Sequence, residues 1–190
     1  ELKTRVSRIA EKTGVRPVLA TILVGSDPSS KVYVNMKGNA CTRIGLGTKR
    51  VELPATTTTD ELLRVIEDLN RDDAVFGILL QHPAPRQIDE RRCFNAISPA
   101  KDVDGVTAAG FGSMALGEEA FVSATPGGIM TLLEHYRIPV EGKRAAVIGR
   151  SAILGKPVAM LLLNNNATVT VCHSKTTGLE RIIGDAEIVV

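Results

Sequence analysis

Apolar and polar positions along the 190 residues fall into two alternating patterns. Unbroken apolar runs, Pro17-Val-Leu-Ala-Thr-Ile-Leu-Val24 and Val75-Phe-Gly-Ile-Leu-Leu80, are strand-length and show no polar alternation, which predicts strands buried on both faces. Between such runs the apolar residues recur at helical spacing. Leu62, Leu63, Ile66 and Leu69 form one such face, preceded by the capping cluster Thr56-Thr-Thr-Thr-Asp-Glu61. The pattern predicts a helix from Leu2 to Lys12, a strand over Pro17 to Val24 and a turn whose serines cap a helix from Lys31 to Ile44. A strand over Thr48 to Leu53, the Leu62 helix, a strand over Val75 to Leu80 and a helix over Ile88 to Ile97 follow. Strands alternating with helices define βαβ units around a mainly parallel sheet. Right-handed crossovers place the strand C-termini on one edge, with Gly25 and Gln81 on it, where ligands of open α/β sheets bind.

Residues 98–125 read as irregular. Pro126 starts a helix to about Tyr136, and a second β-α-β run follows at Ala145 to Ile148, Leu154 to Leu163 and Ala167 to Cys172. One more helix and the strand Glu187-Ile-Val-Val190 complete the pattern. The fold class is therefore α/β with two domains: a parallel-sheet domain over residues 1–121 and a Rossmann-like domain over residues 122–190. A complete dinucleotide-binding domain has about six strands. Only three are visible here, so this domain is expected to be incomplete at its C-terminus.

Composition narrows the partners. Net charge is +2 with both signs interleaved, and aromatics are 3% with no Trp. Neither a basic stripe nor a stacking platform for nucleic acid is present. No apolar run approaches the length of a membrane span. Cys41, Cys93 and Cys172 are scattered and unclustered with His82, His135 and His173, so a reducing, cytoplasmic setting without a metal site is expected.

The segment Arg144-Ala-Ala-Val-Ile-Gly-Arg-Ser-Ala-Ile-Leu-Gly-Lys-Pro157 carries the first chemical signal. Strand, glycine turn and helix start present backbone N–H groups and a positive dipole end to a phosphate. It is neither G-x-G-x-x-G nor a P-loop, which has one residue fewer and a hydroxyl where Pro157 stands. A modified dinucleotide turn is the better reading. NAD sites usually place a carboxylate after the next strand. Here Cys172-His-Ser-Lys175 stands instead, and Arg150, Ser174 and Lys175 can surround a 2′-phosphate, so NADP is expected.

Tyr33 and Lys37 lie four residues apart on one helix face, offering a phenol beside an amine that can move protons. The Tyr-x-x-x-Lys spacing also occurs in short-chain dehydrogenases, but there it follows the cofactor turn, whereas here it precedes it. Gln81 ends the strand over Val75 to Leu80 and can bond both Lys37 and a substrate. In Lys101-Asp-Val-Asp-Gly105, Asp102 reads as a loop cap and Asp104 as a contact to a heterocycle that offers two parallel N–H groups. His82 reads as structural and Cys41 as a small buried hydrophobe.

Six ordered blocks resemble the bifunctional methylenetetrahydrofolate dehydrogenase/methenyltetrahydrofolate cyclohydrolase family. They are Val24 to Lys37, Gly77 to Pro83, Pro99 to Gly105, Thr125 to Gly128, Val147 to Ser151 with Gly155 to Pro157, and Asn166 to Ser174. The resemblance implies a folate pocket between two α/β domains. In it Lys37 is the central catalytic group, Tyr33 shapes the pocket and stacks near the pterin, and Gln81 tunes Lys37. Asp104 grips the aminopyrimidine edge. Gly149, Arg150, Ser151 and Ser174 hold NADP. It also implies tetrahydrofolate one-carbon derivatives as substrates and a homodimer. His82 stands where the family commonly has an apolar residue, and Ser123-Ala124 where Pro-Cys is frequent. A dehydrogenase lacking the second activity, or a nucleotide-binding module without catalysis, are the alternatives at this point.

Overall fold

A computed structural model describes residues 1–190, apart from the side chain of Ser29. It divides into two compact units, Glu1–Val103 and Asp104–Val190.

The first unit is built on a three-stranded parallel sheet of β1 (Val18–Val24), β2 (Gly47–Leu53) and β3 (Val75–Leu80), in the order β2-β1-β3. Central β1 is buried from Ala20 to Val24, as its continuous apolar run predicts. β3 is buried except at Phe76, whose ring is 48% exposed, so burial on both faces holds for this strand at every position but one. Helix α1 (Leu2–Thr13) precedes β1, α2 (Pro28–Ile44) follows it, α3 (Thr59–Arg71) links β2 to β3, and α4 (Glu90–Ala96) follows β3.

α2 starts three residues earlier than the pattern implies, because Asp27, not a serine, is its cap: the carboxylate accepts from Ser30 N–H at 2.7 Å. Asp at this position satisfies an orphan helix donor and favours the positive dipole end. α3 begins with a complete capping box, in which the Thr58 hydroxyl accepts from Glu61 N–H and the Glu61 carboxylate accepts from Thr58 N–H. Leu62, Ile66 and Leu69 fill its core face, and Leu63 lies half-buried at the margin. The far end of α3 is closed by Lys101, whose ammonium donates to the carbonyls of Leu69, Asn70 and Asp72 at 2.7–3.1 Å. Val103 then fills the space left beside Gly77 of β3, where a Cβ would stand 2.8 Å from the valine methyl.

The second unit has the same topology in miniature. β4 (Arg144–Ile148), β5 (Thr168–Cys172) and β6 (Ile188–Val189) form a parallel sheet in the order β5-β4-β6. Helix α6 (Ala124–His135) precedes β4, α7 (Gly155–Asn164) connects β4 to β5, and α8 (Leu179–Asp185) connects β5 to β6. Its core is Ala145, Val147, Val158, Ala159, Leu162, Ala167 and Ile188.

Residues 98–125 are not wholly irregular, as the sequence pattern has it. They hold a 3-10 turn at Pro99–Lys101 and helix α5 (Ala108–Ala115), and α6 begins at Ala124 rather than Pro126. α5 contains two glycines, which disfavour helix by intrinsic propensity. The Thr107 hydroxyl caps it by accepting from Gly110 N–H, and Asn164 of α7 donates to the Met114 carbonyl at 2.8 Å. That docking onto α7 is why residues 104–121 pack with the second unit.

Both sheets have their first strand in the middle, flanked by the second and third. The chain runs from the central strand to one edge and then crosses to the other side, so the strand order reverses beside the central strand, and its C-terminal end lies at the switch point of an open α/β sheet. Gly25 stands there in one unit and Gly149 in the other.

Candidate functional site

At the switch point of the first unit the ladder register does the positioning. Ile22 pairs with Leu80, and Gln81 N–H donates to the Ile22 carbonyl at 2.9 Å, one bond beyond the end of β3. Lys37 reaches the same place from the third turn of α2, and its ammonium donates to Gln81 Oε1 at 3.3 Å. Gln81 Nε2 donates to the His82 carbonyl at 2.9 Å. An amide facing a donor on one side and a carbonyl on the other has one orientation that satisfies both. Lys37 and Gln81 are both half-buried, and the structure brings them together as expected. Tyr33 lies one turn before Lys37 with its ring 58% exposed, so it offers a face for stacking rather than a core contact. Val34, Gly38 and Cys41 form the buried stripe of α2, which holds that geometry against the sheet.

Asp104 opens the second unit and is half-buried. Its neighbour Gly105 has φ +62°, and a Cβ there would lie 2.4 Å from Ser123 N. Ser123 is itself buried, and its hydroxyl donates to the Gly105 carbonyl at 2.6 Å. Only glycine permits this approach, and the approach fixes the backbone that carries Asp104. Sequence reasoning marked Ser123 only as a departure from Pro-Cys, not as a partner of Gly105. Asp102, read from the sequence as a loop cap, is 1% exposed.

The turn after β4 has the geometry of a backbone ligand site. Gly149 N–H donates to the Cys172 carbonyl at 2.9 Å, closing the end of the β4–β5 ladder. Gly149 takes φ +142°, and a Cβ there would point into open space. Gly155, the first residue of α7, lies so close that a Cβ would be 2.4 Å from the Gly149 carbonyl oxygen. The Ser151 hydroxyl accepts from Leu154 N–H and Gly155 N–H, both at 3.2 Å, so it shapes the helix start and keeps its own proton for an acceptor outside. Because Ile148 pairs with Cys172, Arg150 and Ser174 each stand two residues beyond paired strand ends, both exposed. The loop carrying Ser174 and Lys175 is tied by His173: His173 N–H donates to Thr176 Oγ1 at 2.8 Å, and His173 Nδ1 accepts from Lys175 N–H at 3.1 Å. An open glycine turn beside the start of a ten-residue helix is the kind of backbone arrangement that receives phosphate groups.

The buried cysteines are structural. Cys93 is fully buried on α4 and burial pushes its thiol up to about 11, while burial raises Cys41 in the same direction. Neither is a nucleophile at neutral pH. Among the described residues no cluster of His, Cys, Asp and Glu could hold a metal ion, and no helix is long and apolar enough to cross a membrane.

A two-unit α/β protein, with an amine–amide pair at one switch point and a dinucleotide turn at the other, belongs to the class of cofactor-dependent enzymes. Residues 1–104 match the catalytic domain of tetrahydrofolate dehydrogenase/cyclohydrolase, and residues 123–190 match the NAD(P)-binding domain of the same family. The bifunctional protein FolD of Teredinibacter turnerae is 65% identical over all 190 residues, which span 68% of that relative. The crystal structure of the FolD methylenetetrahydrofolate dehydrogenase/cyclohydrolase from Campylobacter jejuni superposes with a TM-score of 0.96 at 42% identity, covering 99% of this chain and 67% of that one. The Trypanosoma brucei FolD enzyme, solved with NADP and an inhibitor, gives a TM-score of 0.94 at 36% identity, covering 100% of this chain and 65% of that one. The chain belongs to the tetrahydrofolate dehydrogenase/cyclohydrolase family.

Proposed function

We propose a residue-level account of the two reactions of this family. The chain oxidises 5,10-methylenetetrahydrofolate to the 5,10-methenyl form with NADP and hydrolyses that product to 10-formyltetrahydrofolate. NADP supplies the hydride acceptor. Arg150 and Ser174 meet its 2′-phosphate, while Gly149 and Ser151 frame the turn that receives the pyrophosphate.

In the hydrolysis a water attacks the methenyl carbon, a C–O bond forms and the bond from that carbon to N5 breaks. Both protons leave the water as its oxygen becomes the formyl carbonyl: one is released to solvent as the cation's charge is discharged, and the other must reach the departing nitrogen. Lys37 Nζ carries that proton. Gln81 holds the amine in place through the 3.3 Å bond, which is the observation that carries this reading. Tyr33 stacks near the pterin, and Asp104 accepts two N–H bonds from its aminopyrimidine edge. We further infer that the functional boundary lies at 121/122, so that residues 104–121 serve the folate side; the start of the second family match at residue 123 supports it. A cytoplasmic homodimer feeding one-carbon units to purine biosynthesis follows from the family resemblance.

The test is a spectroscopic assay of the full-length enzyme with methylenetetrahydrofolate and either NADP or NAD. The methenyl absorbance should rise with NADP, rise more slowly with NAD, and then decay faster than in buffer. Equal rates with both cofactors would remove the 2′-phosphate assignment. Decay no faster than in buffer would leave a dehydrogenase alone.

A further inference from the structure

Beyond the last ladder bond at Gln81, the backbone that follows β3 leaves the sheet, and one carboxylate gathers it. Glu90, in the first turn of α4, accepts from Ala84 N–H at 2.5 Å and contacts His82 Nδ1 at 2.9 and 3.0 Å through its two oxygens. The His82 carbonyl, in turn, accepts from Gln81 Nε2. The chain of contacts therefore runs from Glu90 through His82 to Gln81 and on to Lys37, all within the first unit.

The post at the far end of this chain is rigid. Cys93 and Phe94 bury α4 in the core. Asp89 N–H donates to Thr59 Oγ1 at 2.9 Å, and Arg92 pairs with Asp60 at 3.1 Å, so the start of α4 is tied to the start of α3. Both His82 and Glu90 lie partly in solvent, at 47% and 25% side-chain exposure, so the pair adds little to global stability. Its geometric effect is larger. Two bonds to one carboxylate fix where the His82 carbonyl points, and that carbonyl is the partner that orients the Gln81 amide.

We propose that Glu90, acting with His82, is a positioning residue for the hydrolytic step: it sets the orientation of Gln81 and, through it, of the Lys37 amine. This rests on the reading of Lys37 and Gln81 given above. His82, which the sequence marks only as a departure from an apolar position, thereby acquires a role that leucine could not fill.

The test measures methenyltetrahydrofolate hydrolysis in the full-length enzyme for the wild type, Glu90→Ala, Glu90→Gln, Gln81→Ala and the double variant. Glu90→Ala should lower kcat about 10-fold, the scale of a sub-ångström misplacement of a proton carrier, with NADP affinity, titrated separately, unchanged. Glu90→Gln keeps an acceptor for Ala84 N–H and should recover to within about 2-fold of the wild type. In the Gln81→Ala background, Glu90→Ala should cost nothing further, because the two act through one contact. Should Glu90→Ala fail to fold, His82→Leu reads the same coupling: a loss of about 3-fold that disappears when Gln81 is alanine. A wild-type kcat for Glu90→Ala, or the same fold-loss with Gln81 present and absent, would overturn the proposal. Wild-type hydrolysis by Gln81→Ala would instead overturn the reading beneath it, and the proposal with it.

Discussion

The two units share a strand order and spend it differently. At the switch point of β1 the first unit places side chains, an amine from α2 and an amide from the end of β3, held to each other at 3.3 Å. At the switch point of β4 the second unit presents mainly backbone, an open glycine at φ +142° and a helix start packed against it, with Arg150, Ser151 and Ser174 around the turn. Proton transfer needs a group of defined basicity at a defined point, which only a side chain supplies. Phosphate binding needs several donors around an anion, which a backbone turn supplies once side chains are out of the way. On the proposed function, the same topology serves proton transfer in one unit and phosphate binding in the other.

The sharpest way to break this contrast is Gly155→Ala. Its Cβ would meet the Gly149 carbonyl at 2.4 Å and Arg150 N at 2.8 Å, both backbone, so the turn itself must move. NADP binding should weaken about 100-fold, with roughly 2–3 kcal/mol lost in thermal unfolding. Hydrolysis of supplied methenyl substrate should fall far less than hydride transfer; equal losses would deny that the two units divide the work. A milder change is Arg150→Ala, expected to weaken NADP about 10-fold and NAD less than 2-fold in titration calorimetry. Equal weakening would leave the guanidinium without a 2′-phosphate to hold.

The smallest effect concerns acid. Glu61 lies below its ordinary range because the Thr58 N–H and hydroxyl bond its carboxylate, and Asp72 because Lys49 and Ala74 N–H do the same. In the second unit Glu187 is lowered by Lys143 and by Arg144 N–H. A depressed carboxylate contributes stability above its unfolded value, about 4, and loses it as pH falls through the folded one. Two such groups brace the ends of α3 and one braces β4. Hydrogen exchange between about pH 5 and pH 2.5 should therefore show protection falling further in α3 than in β4. A larger loss in β4 would contradict the assignment of these bonds.

Much of this arrangement was legible in the sequence, because burial writes it there. β1, but for Thr21, and β3 are apolar as a consequence of lying in a covered parallel sheet, and the glycine after β4 is required by the turn it makes. The Tyr33–Lys37 spacing put both on one helix face, and the strand end put Gln81 at the edge they share. What escaped was set by tertiary contact. α5 is glycine-bearing and propensity argues against it; docking on α7 and the Thr107 cap make it a helix. Asp27 took the cap of α2 from serines equally able to fill it. Glu90 escaped because nothing in an eight-residue separation from His82 predicts contact; the loop between them had to be seen to fold back. Ser123 escaped because its partner, Gly105, is eighteen residues away and reveals itself only by the absence of a side chain.

The central claim is that Lys37 and Gln81 act as one unit in hydrolysis. It is tested most directly by the single-turnover decay of bound methenyltetrahydrofolate in Lys37→Met, Gln81→Ala and the double variant, with NADP affinity measured on each. Lys37→Met should lose about 100-fold or more, Gln81→Ala about 10-fold, and the double variant no more than Lys37→Met alone, with NADP binding unchanged throughout. Losses that multiply, or a Lys37→Met enzyme that hydrolyses at the wild-type rate, would contradict it.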